Sequence, residues 1–109
     1  MEPNRIAKVE TDLRVILLVE DDSLIRMTTA EYLRSVGYEV IEAATADEGA
    51  RVLSSGAKVH LVFSDVSMPG DMGGFSLAVW VRRNFPFIPV VLMMMPIKSI
   101  VTELARLLV

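Results

Sequence analysis

The chain has 109 residues, 52% apolar and 23% charged, a globular composition with room for one small core and no second module. A net charge of −3 offers no basic footprint for a nucleic-acid backbone, and the lack of cysteine excludes disulfides and thiolate metal sites. No apolar stretch approaches the ~20 residues that span a bilayer, and none opens the chain as a signal peptide would, so a cytoplasmic domain without membrane or nucleic-acid partners is expected.

Residues 1–12 follow no period and read as a loose leader; residues 13–109 read as one domain. Val15–Val19, VILLV, is a continuous apolar run suited to a strand buried on both faces. Ser23 is placed to cap a helix whose stripe is Leu24, Thr28, Tyr32 and Val36, with Leu33 beside it and Gly37 as its stop. Tyr38–Ala44 mixes apolar and acidic residues, as an edge strand does. Thr45 and Glu48 form a capping box opening a helix through Leu53, ended near Gly56. His60–Ser64, HLVFS, is a second buried strand, stopping at Asp65. Gly73-Gly74 supplies a flexible turn, and Phe75, Ala78, Val79 and Arg82 mark a third helix to Asn84, closed by Phe85-Pro86. Ile88–Met93 is the last strand, and Ile97, Ile100, Val101, Leu104 and Leu108 mark a final helix.

Strands alternating with helices predict an α/β fold, a doubly wound parallel sheet of order 2-1-3-4 with helices on both faces. The first and third strands are then neighbours, and their carboxyl ends form the switch point where such sheets bind ligands. Glu20, Asp21 and Asp22 follow the first strand and Asp65 ends the third. Like charges ~4 Å apart repel by about 4 kcal/mol at an effective dielectric near 20. A hard cation with oxygen ligands relieves this, as does a raised pKa on one member, and Mg²⁺ suits phosphoryl chemistry here. Asp22, beside Ser23, is better read as a helix cap than as part of the cluster.

ILLVEDDSLIR followed by LVFSDVSMPG resembles the receiver domain of bacterial response regulators, from about Arg14 to Met93. The resemblance implies a flavodoxin-like fold and a phosphorelay role in two-component signalling. It makes Asp65 the phosphoacceptor, and gives Mg²⁺ to Glu20, Asp21, Asp65 and the backbone carbonyl of Ser67. Pro69 and Gly70 would shape the turn that exposes the site. Implied partners are a sensor histidine kinase or a phosphotransfer protein, and the domain is a signalling module rather than an enzyme, standing alone with protein–protein output.

The sequence departs from that pattern near its end. Met94 stands where the family places a Ser or Thr, and Met95 stands where it places a Lys before a Pro. Lys98, two positions past Pro96, is the remaining candidate for the lysine's role. A fourth helix and fifth strand are missing by length, which predicts an unprotected apolar edge and a homodimer or a marginal monomer. Two other readings stand beside the phosphoacceptor. One is a degenerate, non-switching binding or dimerisation module. The other is a phosphatase of the haloacid dehalogenase type, disfavoured because Ser67 stands where its acid/base aspartate is needed. Of the remaining residues, His60 reads as a surface histidine at the end opposite the acids, and Trp80 as half-buried or a partner contact. The Met93–Met95 run reads as core filler at a chain junction.

Overall fold

A computed structural model of the chain describes residues 15–66, 73–93, 103–104 and 106–108. Its elements are β1 (Val15–Val19), α1 (Ser23–Ser35), β2 (Glu39–Ala43), α2 (Ala46–Ser54), β3 (Leu61–Asp65), α3 (Gly74–Asn84) and β4 (Val90–Met93). The four strands form one sheet of order β2-β1-β3-β4, every pair parallel. This is the doubly wound order expected. Glu103, Leu104 and Arg106–Leu108 are helical and exposed, consistent with a final helix. Ile97, Ile100 and Val101 lie outside the described residues, as do Ser67, Pro69, Gly70, Met94, Met95 and Lys98.

Successive side chains of a strand point to opposite faces, so β1 serves both sides of the sheet. Leu17 and Val19 enter the main core with Ala43, Ala46, Leu53, Val59, Val62, Leu77 and Val81, drawn partly from α2 and α3. Ile16 and Leu18 are buried too, on the other face, where α1 packs on β1 and β2 and buries Ile25 and Ala30. Right-handed crossovers require this split: the chain leaves β1 toward one edge, then returns past β1 to β3, and the reversal changes the face its helices cover.

The helix faces differ from those predicted. On α1 the buried side chains are Ile25 and Ala30, whereas Leu24, Tyr32 and Val36 are exposed. On α3 they are Gly74, Leu77 and Val81, whereas Phe75 and Val79 are exposed. Both helices carry apolar residues around much of their circumference, so two stripes fit a 3.6-residue period. The approach of the helix to the sheet selects one. Trp80 is half-buried, its ring 5.7 Å from that of Phe85, and both pack against the main core.

Local signals account for the ends. Asp22 caps α1, as its place in the sequence predicts, and Ser23 is the first helical residue rather than the cap: Asp22 Oδ1 accepts from the N–H groups of Leu24 (2.9 Å) and Ile25 (3.0 Å). Gly37 takes φ 104° just past that helix. Thr45 Oγ1 accepts from the Glu48 N–H, and Glu48 reaches back to the N–H of Ala44, one residue before the cap. His60, half-buried at the amino end of the sheet, extends the β1–β3 pairing. Its N–H donates to the Val15 carbonyl at 2.8 Å, and its Nδ1 accepts from the Val15 N–H at 3.1 Å. β4 pairs with β3 alone among the described residues, and its Val91 is exposed.

Candidate functional site

The first and third strands end side by side, with Val19 opposite Ser64. The chain beyond each carries the acids: Glu20 and Asp21 after β1, and Asp65 as the last residue of β3. One carboxylate oxygen from each of the three lies within 4.8 Å of the others. Glu20 and Asp65 are fully buried (0% exposed) and Asp21 is exposed, so the cluster opens to solvent on one side. Asp22 is turned to helix capping and is not among the three.

Glu20 and the backbone around Asp65 are held by their surroundings. The Glu20 N–H donates to the Ala43 carbonyl of β2, and its Oε2 accepts from the Asp22 N–H at 2.9 Å. The Glu20 carbonyl accepts from Arg26 Nη1 at 2.8 Å. Arg26 also faces Glu42 across 3.5 Å, and Glu42 pairs with Arg34 at 3.2 Å. Beside Asp65, the Val66 N–H donates to the Met93 carbonyl of β4, and the Gly74 N–H donates to the Val66 carbonyl. Ser64, buried beneath, donates its hydroxyl to the Asp65 carbonyl at 3.1 Å.

Gly74 is not a flexible turn but the first residue of α3, pressed onto the phosphoacceptor candidate's backbone. A Cβ there would lie 2.1 Å from the Asp65 carbonyl oxygen and 2.8 Å from the Val66 Cα. Only glycine allows that approach. Arg26 and Gly74 are the two residues of the site whose parts were missed. With Asp22 recognised as the cap, Arg26 falls one turn along α1, above the end of β1. For Gly74 no linear pattern carries the signal.

Among the described residues the cluster is three carboxylates, a hard, all-oxygen donor set that fits Mg²⁺ or Ca²⁺ rather than a soft metal. A buried acidic group at the carboxyl end of a parallel sheet, at its switch point, is also where doubly wound folds bind charged ligands. A family model described as the response regulator receiver domain matches residues 16–104. The chain belongs to that family.

Relatives of this receiver domain bear out the assignment. It is 40% identical over 78 residues to the response regulator protein FleR of Pseudomonas aeruginosa, a match covering 72% of this chain and 16% of FleR. It is 41% identical over 85 residues to the sensor kinase CckA of Brucella abortus, covering 72% of this chain and 9% of CckA. The receiver domain thus spans only a small part of these curated relatives. Among solved structures, the response regulator TrrA of Thermotoga maritima, in complex with Mg²⁺–BeF, superposes with a TM-score of 0.70 at 30% identity. That match covers 74% of this chain and 69% of TrrA. The chemotaxis protein CheY4 of Vibrio cholerae gives 0.66 at 31%, covering 80% and 75%. No helix among the described residues is long and apolar enough to cross a membrane.

Proposed function

We propose that this receiver domain accepts a phosphoryl group on Asp65 in a two-component phosphorelay, with Mg²⁺ held by Glu20, Asp21 and Asp65. The observation that carries this reading is the convergence of the three carboxylates, Asp65 fully buried among them, at the switch point of the sheet. The donor is the phosphohistidine of a sensor kinase or phosphotransfer protein, or a small phosphodonor. One Asp65 carboxylate oxygen forms the new bond to phosphorus, while the donor's nitrogen or oxygen leaves with the electrons of the breaking bond. When bound, the metal supplies neutralisation of the phosphoryl oxygens' charge. Glu20 contributes a carboxylate whose Oε2 is already fixed by the Asp22 N–H, so that little ligand reorganisation would accompany cation binding. The Ser67 carbonyl is a further ligand in this reading, and Lys98 is the candidate partner for the acyl phosphate.

Output is protein–protein contact in the cytoplasm. A second copy is included among the partners because β4 leaves the apolar Val91 exposed on an edge strand. A compact monomer as the sole species in sedimentation would refute that part. The alternative, a non-switching binding module, is suggested by Met94 and Met95 at the places of the hydroxyl and the lysine, and the intact carboxylate cluster speaks against it. Fluorine NMR with beryllofluoride and Mg²⁺ separates the two. A bound, Mg²⁺-dependent signal that is lost in Asp65→Asn supports the phosphoacceptor. Mg²⁺ binding without any bound beryllofluoride favours the degenerate module.

A further inference from the structure

We infer that Arg26 is a positioning residue for the cation site, acting through the peptide that joins Glu20 to Asp21; the inference rests on the reading of the carboxylate cluster as a Mg²⁺ site. Arg26 Nη1 donates to the Glu20 carbonyl at 2.8 Å. That carbonyl oxygen and the Asp21 nitrogen belong to one rigid planar unit, so fixing the oxygen fixes the direction in which Asp21 leaves the strand. On its other side Glu20 is held by its N–H bond to Ala43. Asp21 is the exposed member of the three, so burial contributes least to placing its carboxylate and the direction of its backbone counts the more.

The guanidinium is itself oriented. Its Nε faces Glu42 Oε1 at 3.5 Å, and the other oxygen of Glu42 takes Arg34 Nη2 at 3.2 Å. Arg34 also donates to the Val40 carbonyl at 2.9 Å. This chain of contacts runs from the edge strand β2, across α1, to the end of β1. The Glu42 carboxylate is about one-third exposed, and ion pairs in that environment add little to stability. Orientation of the Glu20–Asp21 peptide is the larger consequence of Arg26.

Charge and positioning predict opposite signs. A nearby cation repels Mg²⁺, so if Arg26 acted only through its charge, its removal would tighten Mg²⁺ binding. If it positions Asp21, its removal loosens binding, because an outer partner that orients a ligand is worth roughly tenfold in metal affinity.

The test is calorimetric Mg²⁺ titration of the full chain as wild type, Arg26→Gln and Arg26→Lys, with the Asp21 amide resonance followed by NMR. Arg26→Gln is expected to bind Mg²⁺ about tenfold more weakly and to shift the Asp21 amide in the metal-free protein. Arg26→Lys, which keeps the charge and one donor, is expected between the two. Far-UV circular dichroism confirms that each variant is folded, and Arg26→Lys carries the comparison if Arg26→Gln is not. Mg²⁺ affinity in the variants equal to or tighter than wild type overturns the inference. Wild-type protein that binds no Mg²⁺ overturns the metal-site reading itself, and Arg26's part falls with it.

Discussion

Replacing Gly74 with alanine tests how closely the candidate phosphoacceptor is packed. The added Cβ would meet the Asp65 carbonyl oxygen at 2.1 Å, the Val66 Cα at 2.8 Å and the Asp65 carbonyl carbon at 2.9 Å. Carbon and carbonyl oxygen approach no closer than ~3.3 Å in ordinary weak contacts, so the first distance is short by about 1 Å. All three atoms are backbone, and no rotamer change relieves them. Either α3 moves off the sheet, stretching the bond from the Gly74 N–H to the Val66 carbonyl, or the end of β3 shifts and carries Asp65 with it. Overpacking of this kind costs about 1–3 kcal/mol. Alanine's better helix propensity returns up to about 1 kcal/mol, less at the first position of a helix. A net loss of about 2 kcal/mol is expected, lowering the urea midpoint by about 1 M for a domain of this size. Gly49→Ala is the control, because its Cβ would meet the Val19 Cγ2 methyl at 3.0 Å rather than backbone. There the propensity gain and the crowding nearly cancel, within about 1 kcal/mol. Urea unfolding followed by circular dichroism measures both variants, with Mg²⁺ titration beside it. Gly74→Ala as stable as wild type, or less damaging than Gly49→Ala, would refute the packing argument.

The buried stripe of α3 is tested by truncation. Leu77→Ala is expected to cost about 2–5 kcal/mol in chemical denaturation and Val79→Ala no more than about 0.5 kcal/mol; the reverse order would restore the stripe drawn from sequence. Asp22→Ala is expected to lose about 1 kcal/mol by removing the acceptor of the Leu24 and Ile25 N–H groups, while Asp22→Ser retains most of the stability. Thermal melts of the two variants check this, and equal melting would show that the cap contributes nothing.

The strands were the most legible part of the fold. Runs such as VILLV are apolar on both sides because a central parallel strand is covered on both sides, and such a run admits few other readings. Topology followed from the alternation of elements and the handedness of crossovers. The three acids were legible because strand ends at a switch point lie side by side whatever the details of packing. Helix faces were harder to read. Leu24, Met27, Tyr32 and Val36 are as apolar as the residues α1 buries, and their exposure depends on the angle at which the helix meets β1 and β2. The need for glycine at position 74 arises between α3 and the end of β3, elements brought together only by the fold. Arg26 carries an ordinary surface charge in sequence, and its contact with the Glu20 carbonyl appears only when Asp22 sets the start of α1.

The central claim is that Asp65 takes the phosphoryl group in a cation-dependent step. Incubation with acetyl phosphate and Mg²⁺, followed by peptide mapping by mass spectrometry, measures it directly. A single phosphoryl adduct is predicted on the peptide containing Asp65, absent when Mg²⁺ is chelated and absent in Asp65→Asn. A folded, Mg²⁺-bound protein that remains unmodified, or an adduct that persists in Asp65→Asn, would contradict the account.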